Sequence, residues 1–160
     1  GGPLGAVIAS RCSSVQVTVV DKDATRIESW NSESPPLHEP GLAEIISGIR
    51  QHAWTSTEYV KSRLVFSTEI QSAVQEAQLI LLCIDTPTRI SGRGSGFAAD
   101  LGNIKHSVEA IARAATDDMM LMGKSTVPCG ASQMIKTIVS LPCSLSVQGM
   151  YGRECSYCGN

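Results

Sequence analysis

The chain lacks an excess of charge of either sign and has no long apolar run. Thirteen Lys and Arg stand against fifteen Asp and Glu, giving a net charge of −2 and an isoelectric point near 5.9. That balance provides none of the basic footprint on which nucleic-acid binding depends. No stretch approaches the ~18 consecutive apolar residues of a membrane span. A soluble protein with small-molecule partners, and with neither nucleic acid nor membrane, is expected. There is no initiator Met and no charged segment followed by an apolar one, the pattern of a signal or transit peptide. A cytoplasmic location is therefore expected, and a start at Gly1 reads as an incomplete chain.

A cysteine framework is also missing. Six cysteines are present, but Cys12 falls in a helical pattern and Cys83 inside the apolar run 79–84, positions where a reduced, buried thiol is usual. A reducing compartment is expected. Cys155-Ser156-Tyr157-Cys158 has the spacing of half a zinc site or of a redox pair, yet no second pair follows. None of His38, His52 and His106 stands at ligand spacing, so no metal site is expected.

What is present is an ordinary globular composition, 42% hydrophobic and 18% charged over 160 residues, enough for one domain with a sizeable core. Apolar runs alternate with helical periodicity, the pattern of a parallel sheet with crossover helices. Residues 15–20 read as a strand, 24–30 and 41–49 as helices, and 31–40, with Pro35-Pro36, as a turn-rich link. Residues 64–67 form a short strand and 68–78 a helix with Ile70, Ala73 and Val74 on one face. Residues 79–85 read as a continuous strand buried on both sides. A glycine-rich loop follows at 92–96. Asp100 caps a helix carrying Leu101, Ile104, Val108 and Ile111, and residues 119–122 make another strand. Ser125-Thr126-Val127-Pro128 is the next strand-to-helix turn.

Gly1-Gly2-Pro3 opens an apolar helix, a strand follows, and Asp21 ends it 20 positions after Gly1. This is the second half of a Rossmann dinucleotide-binding fingerprint, without its first two glycines and the strand before them. In that fingerprint the last glycine lets the helix pack close to the sheet. The helix N-terminus favours a pyrophosphate, and the acid accepts hydrogen bonds from ribose hydroxyls. Two more strand ends carry small polar residues, Asp85-Thr86-Pro87-Thr88 and Ser125-Thr126. Ligands of open parallel sheets bind at such carboxyl ends. The fold expected is α/β, a Rossmann-like parallel sheet with flanking helices.

Taken in order, several motifs resemble the UDP-glucose 6-dehydrogenases of the UDP-glucose/GDP-mannose dehydrogenase family. They are Gly1-Gly2-Pro3, Val17-Thr18-Val19-Val20-Asp21, Arg26-Ile27, Trp30-Asn31-Ser32, Glu39-Pro40-Gly41-Leu42, Phe66-Ser67-Thr68, Thr86-Pro87-Thr88, Ala98-Ala99-Asp100-Leu101 and Lys124-Ser125-Thr126-Val127-Pro128. The resemblance implies NAD-dependent oxidation of UDP-glucose to UDP-glucuronate. A related enzyme acting on GDP-mannose or a UDP-acetamido sugar is the nearest alternative, and a non-catalytic nucleotide-binding module the next. Carried over, it implies NAD bound by Gly1 at the helix start, Asp21 at the adenosine ribose and Arg26 beside it. Ile84, Asp85, Thr86, Pro87 and Thr88 would wrap the cofactor, and Ser125 would touch it near the nicotinamide. Thr126 corresponds to a threonine that helps position a catalytic water. Asp85 stands where eukaryotic members usually have Asn. Cys129 is expected to be a small packing residue rather than a nucleophile.

The family's nucleophilic cysteine lies in a Gly-Gly-Ser-Cys motif that does not occur here, so this chain is expected to be the cofactor-binding part and inactive alone. The resemblance covers residues 1–138, with an apparent insertion at 51–62. Residues 139–160 read as an atypical, irregular tail, either translated from non-native sequence or diverged. Family members are homo-oligomers, an assembly not carried over to this chain. In the usual 3-2-1-4-5 strand order the missing strand is central. Each buried backbone group it leaves unpaired costs roughly 1–3 kcal/mol, against about 5–15 kcal/mol for a whole domain. The isolated chain is therefore expected to be marginally stable, aggregation-prone or completed by a partner strand.

Overall fold

Glycine sets how the first helix meets the first strand. The computed structural model describes residues 1–55 and 63–140. The chain divides into two units, Gly1–Ala73 and Val74–Asn160. In the first unit, helix α1 (Gly2–Arg11) has a proline in its first turn, where the missing N–H is no loss. A Cβ on Gly5 would lie 2.6 Å from Val19 Cγ2, and one on Gly2 would overlap the indole of Trp30. Both glycines therefore permit a close approach that alanine would block.

Strand β1 (Val17–Val20) runs parallel to β2 (Leu64–Ser67), with Val17 opposite Leu64 and Val20 opposite Ser67. Between them in sequence lie α2 (Ala24–Asn31) and α3 (Leu42–Thr55). The core gathers Ala6, Ala9, Ile27, Trp30, Leu42, Ile46, Ile49, Leu64 and Phe66. Trp30 and Phe66 stack with ring centroids 5.1 Å apart and planes 4° from parallel, which joins α2 to β2. Arg50 of α3 donates from Nη2 to the Trp30 carbonyl at 2.7 Å and from Nη1 to the Ser32 carbonyl at 2.9 Å. These bonds satisfy acceptors at the end of α2 that the helix leaves open.

The boundary between units falls within helix α4 (Ile70–Gln75). In the second unit β3 (Leu79–Leu82) runs parallel to β4 (Met120–Gly123), with Leu79 opposite Met120 and Leu82 opposite Gly123. Helix α5 (Gly102–Ala114) buries Ile104, Val108 and Ile111 on one face, and α6 (Ala131–Ser140) buries Ile135 and Val139. These join Val74, Leu82 and Leu121 in one core. Asp100 Oδ1 accepts the Gly102 N–H at 2.8 Å, satisfying one of the donors at the start of α5. The loop before α5 is closed by Arg89 N–H to the Ala98 carbonyl (2.7 Å), Asp100 N–H to the Pro87 carbonyl (2.7 Å) and an antiparallel bridge of Thr88 with Ala99. Its Gly94 has φ of 85°, and a Cβ there would sit 2.9 Å from that of Ala98.

The described strands form two separate two-stranded parallel sheets, β1 with β2 and β3 with β4. Each is a parallel neighbour pair of the kind an open α/β sheet contains. Several sequence expectations need correction. The strand expected over 79–85 stops at Leu82, and Leu79 is 48% exposed, so β3 is not buried on both sides. The reason is its pairing: among the described residues β3 has a strand on one edge only. Cys83 therefore lies beyond the strand and is exposed. Cys12, which follows the last turn of α1, is exposed as well. Cys129 precedes α6 and is exposed rather than packed. The helix expected over 68–78 shortens to α4, which buries Val74 but leaves Ile70 38% exposed. Helix α3 continues to Thr55, into the segment read as an insertion; 56–62 lie outside the described residues. Of the expected tail, 139–140 end α6, whereas 141–160, with Cys155 and Cys158, lie outside the described residues. No helix among the described residues is long and apolar enough to cross a membrane.

Candidate functional site

In the first unit, Gly1 is the N-cap of α1, and its carbonyl accepts the Gly5 N–H at 2.9 Å. No side chain caps this helix and no acid lies in its first turn, so its leading N–H groups keep their partial positive charge. Gly5 seats on Val19 and Val17. Gly2, three residues earlier, packs on Trp30 of α2, and β1 runs to its carboxyl end at Val20. Asp21 follows at that end, its own N–H continuing the ladder to the Ser67 carbonyl at 3.2 Å.

The Asp21 carboxylate is held from two sides. Oδ1 accepts the Asp23 N–H at 3.0 Å, and Oδ2 accepts from Arg26 Nη1 at 2.7 Å. Partial burial pushes this carboxyl up, but the Asp23 N–H, the Arg26 guanidinium and the nearby Lys22 outweigh burial and hold it below the usual carboxylate range. Asp21 in turn, with Asp23, holds the Arg26 guanidinium more firmly protonated. Asp23 also caps α2, its Oδ1 accepting the Arg26 N–H at 3.2 Å, while its Oδ2 stands 3.6 Å from Arg26 Nη2.

In the second unit the ends of β3 and β4 are tied by hydroxyls. Ser125 Oγ accepts the Ile84 N–H at 2.7 Å and lies 3.2 Å from the Leu82 carbonyl, to which it donates. Thr86 Oγ1 is 3.0 Å from the Thr126 carbonyl and 3.1 Å from Thr126 Oγ1. A hydroxyl has one proton. If Thr86 donates to the carbonyl, then Thr126 donates to Thr86, and the Thr126 oxygen is left to act as an acceptor. Asp85, Pro87 and Thr88 are exposed beside this pair, Pro87 and Thr88 being held in the loop closure described above.

The predicted residues thus fall into two groups. Gly1, Asp21 and Arg26 belong to the first unit, where Asp21 and Arg26 touch; Ile84, Thr86, Ser125 and Thr126 make direct contacts within the second. Sequence reasoning missed three residues of the first group. Gly2 and Gly5 carry the close packing expected of the fingerprint's last glycine, and Asp23 is the second carboxylate on Arg26. The signal for Asp23 was present, an acid three residues before Arg26 at a helix start. A cleft of about 390 Å³ lies elsewhere in the first unit, beside Ser32, Ile46 and Arg50, and contains none of the predicted residues. Among the described residues no three His, Cys, Asp or Glu side chains cluster as a metal site.

Over residues 1–148 the chain matches the family described as UDP-glucose/GDP-mannose dehydrogenase family, NAD binding domain. The chain belongs to this family. It is 39% identical over 139 residues to the UDP-glucose 6-dehydrogenase of Drosophila melanogaster, covering 87% of this chain and 27% of that protein. With the UDP-glucose 6-dehydrogenase of Gallus gallus it shares 39% over 138 residues, 86% of this chain and 26% of that protein. The chain therefore spans about a quarter of the length of these family members. Among solved structures it is similar to a UDP-glucose dehydrogenase from the archaeon Pyrobaculum islandicum, with a TM-score of 0.70 at 21% identity over 94% of this chain and 34% of that one. It is also similar to a GDP-mannose dehydrogenase from Pseudomonas aeruginosa, with a TM-score of 0.69 at 22% identity over 96% of this chain and 34% of that one. The family's α/β, Rossmann-type fold, expected from the sequence, is the fold of this chain.

Proposed function

We propose that this chain forms the cofactor-binding part of an NAD-dependent UDP-glucose 6-dehydrogenase, which oxidises UDP-glucose to UDP-glucuronate. The observation that carries NAD binding is Asp21 at the carboxyl end of β1, its carboxylate held by the Asp23 N–H and Arg26, in the same unit as the uncapped start of α1. A dinucleotide fits this arrangement, because the missing Cβ atoms of Gly2 and Gly5 are what let α1 seat there. The 39% identity to UDP-glucose 6-dehydrogenases favours UDP-glucose over the GDP-mannose alternative, which rests on a likeness at 22%.

In this reading the α1 start at Gly1 faces the pyrophosphate and Asp21 accepts the ribose hydroxyls, with Arg26 beside it. In the second unit, Ile84, Asp85, Thr86, Pro87 and Thr88 are the residues that the family resemblance gives for cofactor contact. Ser125 lies near the nicotinamide, its hydroxyl held between Ile84 and Leu82. Thr126 positions a water, its oxygen accepting a hydrogen bond from that water while its own hydroxyl donates to Thr86 Oγ1. When bound, NAD supplies the hydride acceptor. Nucleophilic capture of the aldehyde belongs to a Gly-Gly-Ser-Cys motif outside these residues, so the 160-residue chain binds cofactor without turning over UDP-glucose.

The test is a titration of the purified chain with NADH, read by energy transfer from its two tryptophans, Trp30 and Trp54. Saturable binding that Asp21→Ala weakens about tenfold or more supports the reading, as expected when a hydrogen-bonded charge is removed. Absence of saturable binding, or equal binding by the variant, would reject it.

A further inference from the structure

The loop between β3 and α5 holds a serine between two arginines. Thr88 bridges Ala99, the Arg89 N–H donates to the Ala98 carbonyl at 2.7 Å, and the Gly96 N–H donates to the Arg89 carbonyl at 2.8 Å. Beyond this closure the chain turns through Gly92, Gly94 and Gly96, all at positive φ. Ser91 is exposed, with Arg89 two positions before it and Arg93 two positions after it, both exposed as well. They are the charged residues of 88–99, a segment with no acid. Among the described residues neither guanidinium pairs with a carboxylate. Arg89 Nη1 donates instead to the Arg93 carbonyl at 3.1 Å.

We propose that Ser91 is a phosphorylation site for an arginine-directed serine/threonine kinase, independently of NAD binding. Kinases that choose substrates by charge pattern read basic side chains around the acceptor hydroxyl, and Ser91 has one on each side. The fold also leaves this stretch free to enter an enzyme cleft. Among the described residues Ile90 and Ser91 make no backbone hydrogen bond, and Ile90 is 93% exposed, so neither the loop closure nor the core has to open. Two other serines follow an arginine by two positions and lack these features. The Ser95 N–H is bonded to the Gly92 carbonyl at 3.1 Å and the next two N–H groups are bonded too, so reaching Ser95 costs the turn. Ser13 follows Arg11 but has no basic residue on its other side before Lys22.

In the reaction the Ser91 Oγ attacks the γ-phosphorus of Mg-ATP, which the kinase binds. The bond from Oγ to phosphorus forms, and the bond from that phosphorus to the β,γ-bridging oxygen breaks. ADP leaves with the electron pair, and the hydroxyl proton passes to the kinase's catalytic carboxylate. Nothing is oxidised or reduced. The product carries about −1.5 to −2 charges at neutral pH, which Arg89 and Arg93 balance. Guanidinium groups pair with phosphate through short, charge-assisted bonds, so Arg93 gains the partner it lacks in the unmodified loop.

The experiment incubates the full 160-residue chain with Mg-ATP and the catalytic domain of an arginine-directed serine/threonine kinase, and in parallel with an acid-directed one. Tandem mass spectrometry locates the phosphate and gives the rate at each serine. The arginine-directed kinase is expected to modify Ser91 about tenfold or more faster than Ser95 or Ser13, and the acid-directed kinase to leave Ser91 unmodified. Ser91→Ala removes the signal, and Ser91→Thr keeps it. Arg93→Ala, whose guanidinium has no bond to lose among the described residues, lowers kcat/KM at Ser91 about tenfold or more, and Arg93→Lys recovers most of it. Circular dichroism checks each variant; if Arg93→Ala changes the spectrum, Arg93→Gln takes its place. Equal rates at Ser91, Ser95 and Ser13 would overturn the proposal, because the loop would then give Ser91 no advantage. No modification of Ser91 in the native chain, equal modification by the acid-directed kinase, or indifference to Arg93→Ala would overturn it as well.

Discussion

Trp30 fills the space in which a Cβ on Gly2 would have to lie, its indole packed directly over the first residue of α1. The sign of a Gly2→Ala change follows from two opposing effects. Helix propensity favours alanine by up to about 1 kcal/mol, whereas overpacking against a ring that is also stacked on Phe66 costs about 1–3 kcal/mol. The expected outcome is a net loss, seen as a lower urea midpoint together with altered tryptophan emission, to which Trp30 and Trp54 both contribute. A raised midpoint would mean that α1 can slide away from α2.

Ser125 is expected to matter for order at the ends of β3 and β4. Ser125→Ala removes the acceptor of the Ile84 N–H and leaves a partly buried donor, at about 1–3 kcal/mol. Amide exchange at Ile84 should accelerate relative to amides within β1. Unchanged exchange there would reject the clamp.

The Asp21–Arg26 pair makes one element of stability depend on pH. The folded pKa of Asp21 is below its ordinary 3.8, so the contribution is complete above that value and is lost as the pH falls through the lowered folded pKa. Both side chains are partly exposed, so the effect is small and screened by salt. The melting temperature of the native chain should exceed that of Asp21→Asn at about pH 7, and the gap should narrow as the pH is lowered below 3.8. A gap that widens in acid would contradict the pairing.

Ile90 and Phe97, in the loop before α5, are 93% and 95% exposed. Replacing both with Ser should leave unfolding free energy within about 0.5 kcal/mol, because neither packs on the core. Solubility should rise as apolar surface is removed. Sedimentation and urea unfolding of the double variant check the two halves separately.

Much of this arrangement was legible in the order of residues. The 20-residue interval from Gly1 to Asp21, the strand over 64–67 and the apolar face of Ile104, Val108 and Ile111 are local patterns, set by backbone period and side-chain polarity. They gave the α/β class, the family and the acid at the end of β1. What depended on tertiary structure was pairing and contact. Leu79 and Cys83 read as buried because an apolar run does not reveal how many strands flank it; β3 has one partner among the described residues, and the faces left without a neighbour are exposed. Likewise, the sequence set Arg26 beside Asp21 in number only. The turn after β1 and the cap at Asp23 brought the guanidinium onto the carboxylate. Gly2 and Gly5 show the same division: a glycine's position can be read from sequence, but the atom that takes the place of its Cβ, Trp30 or Val19, exists only once the chain has folded.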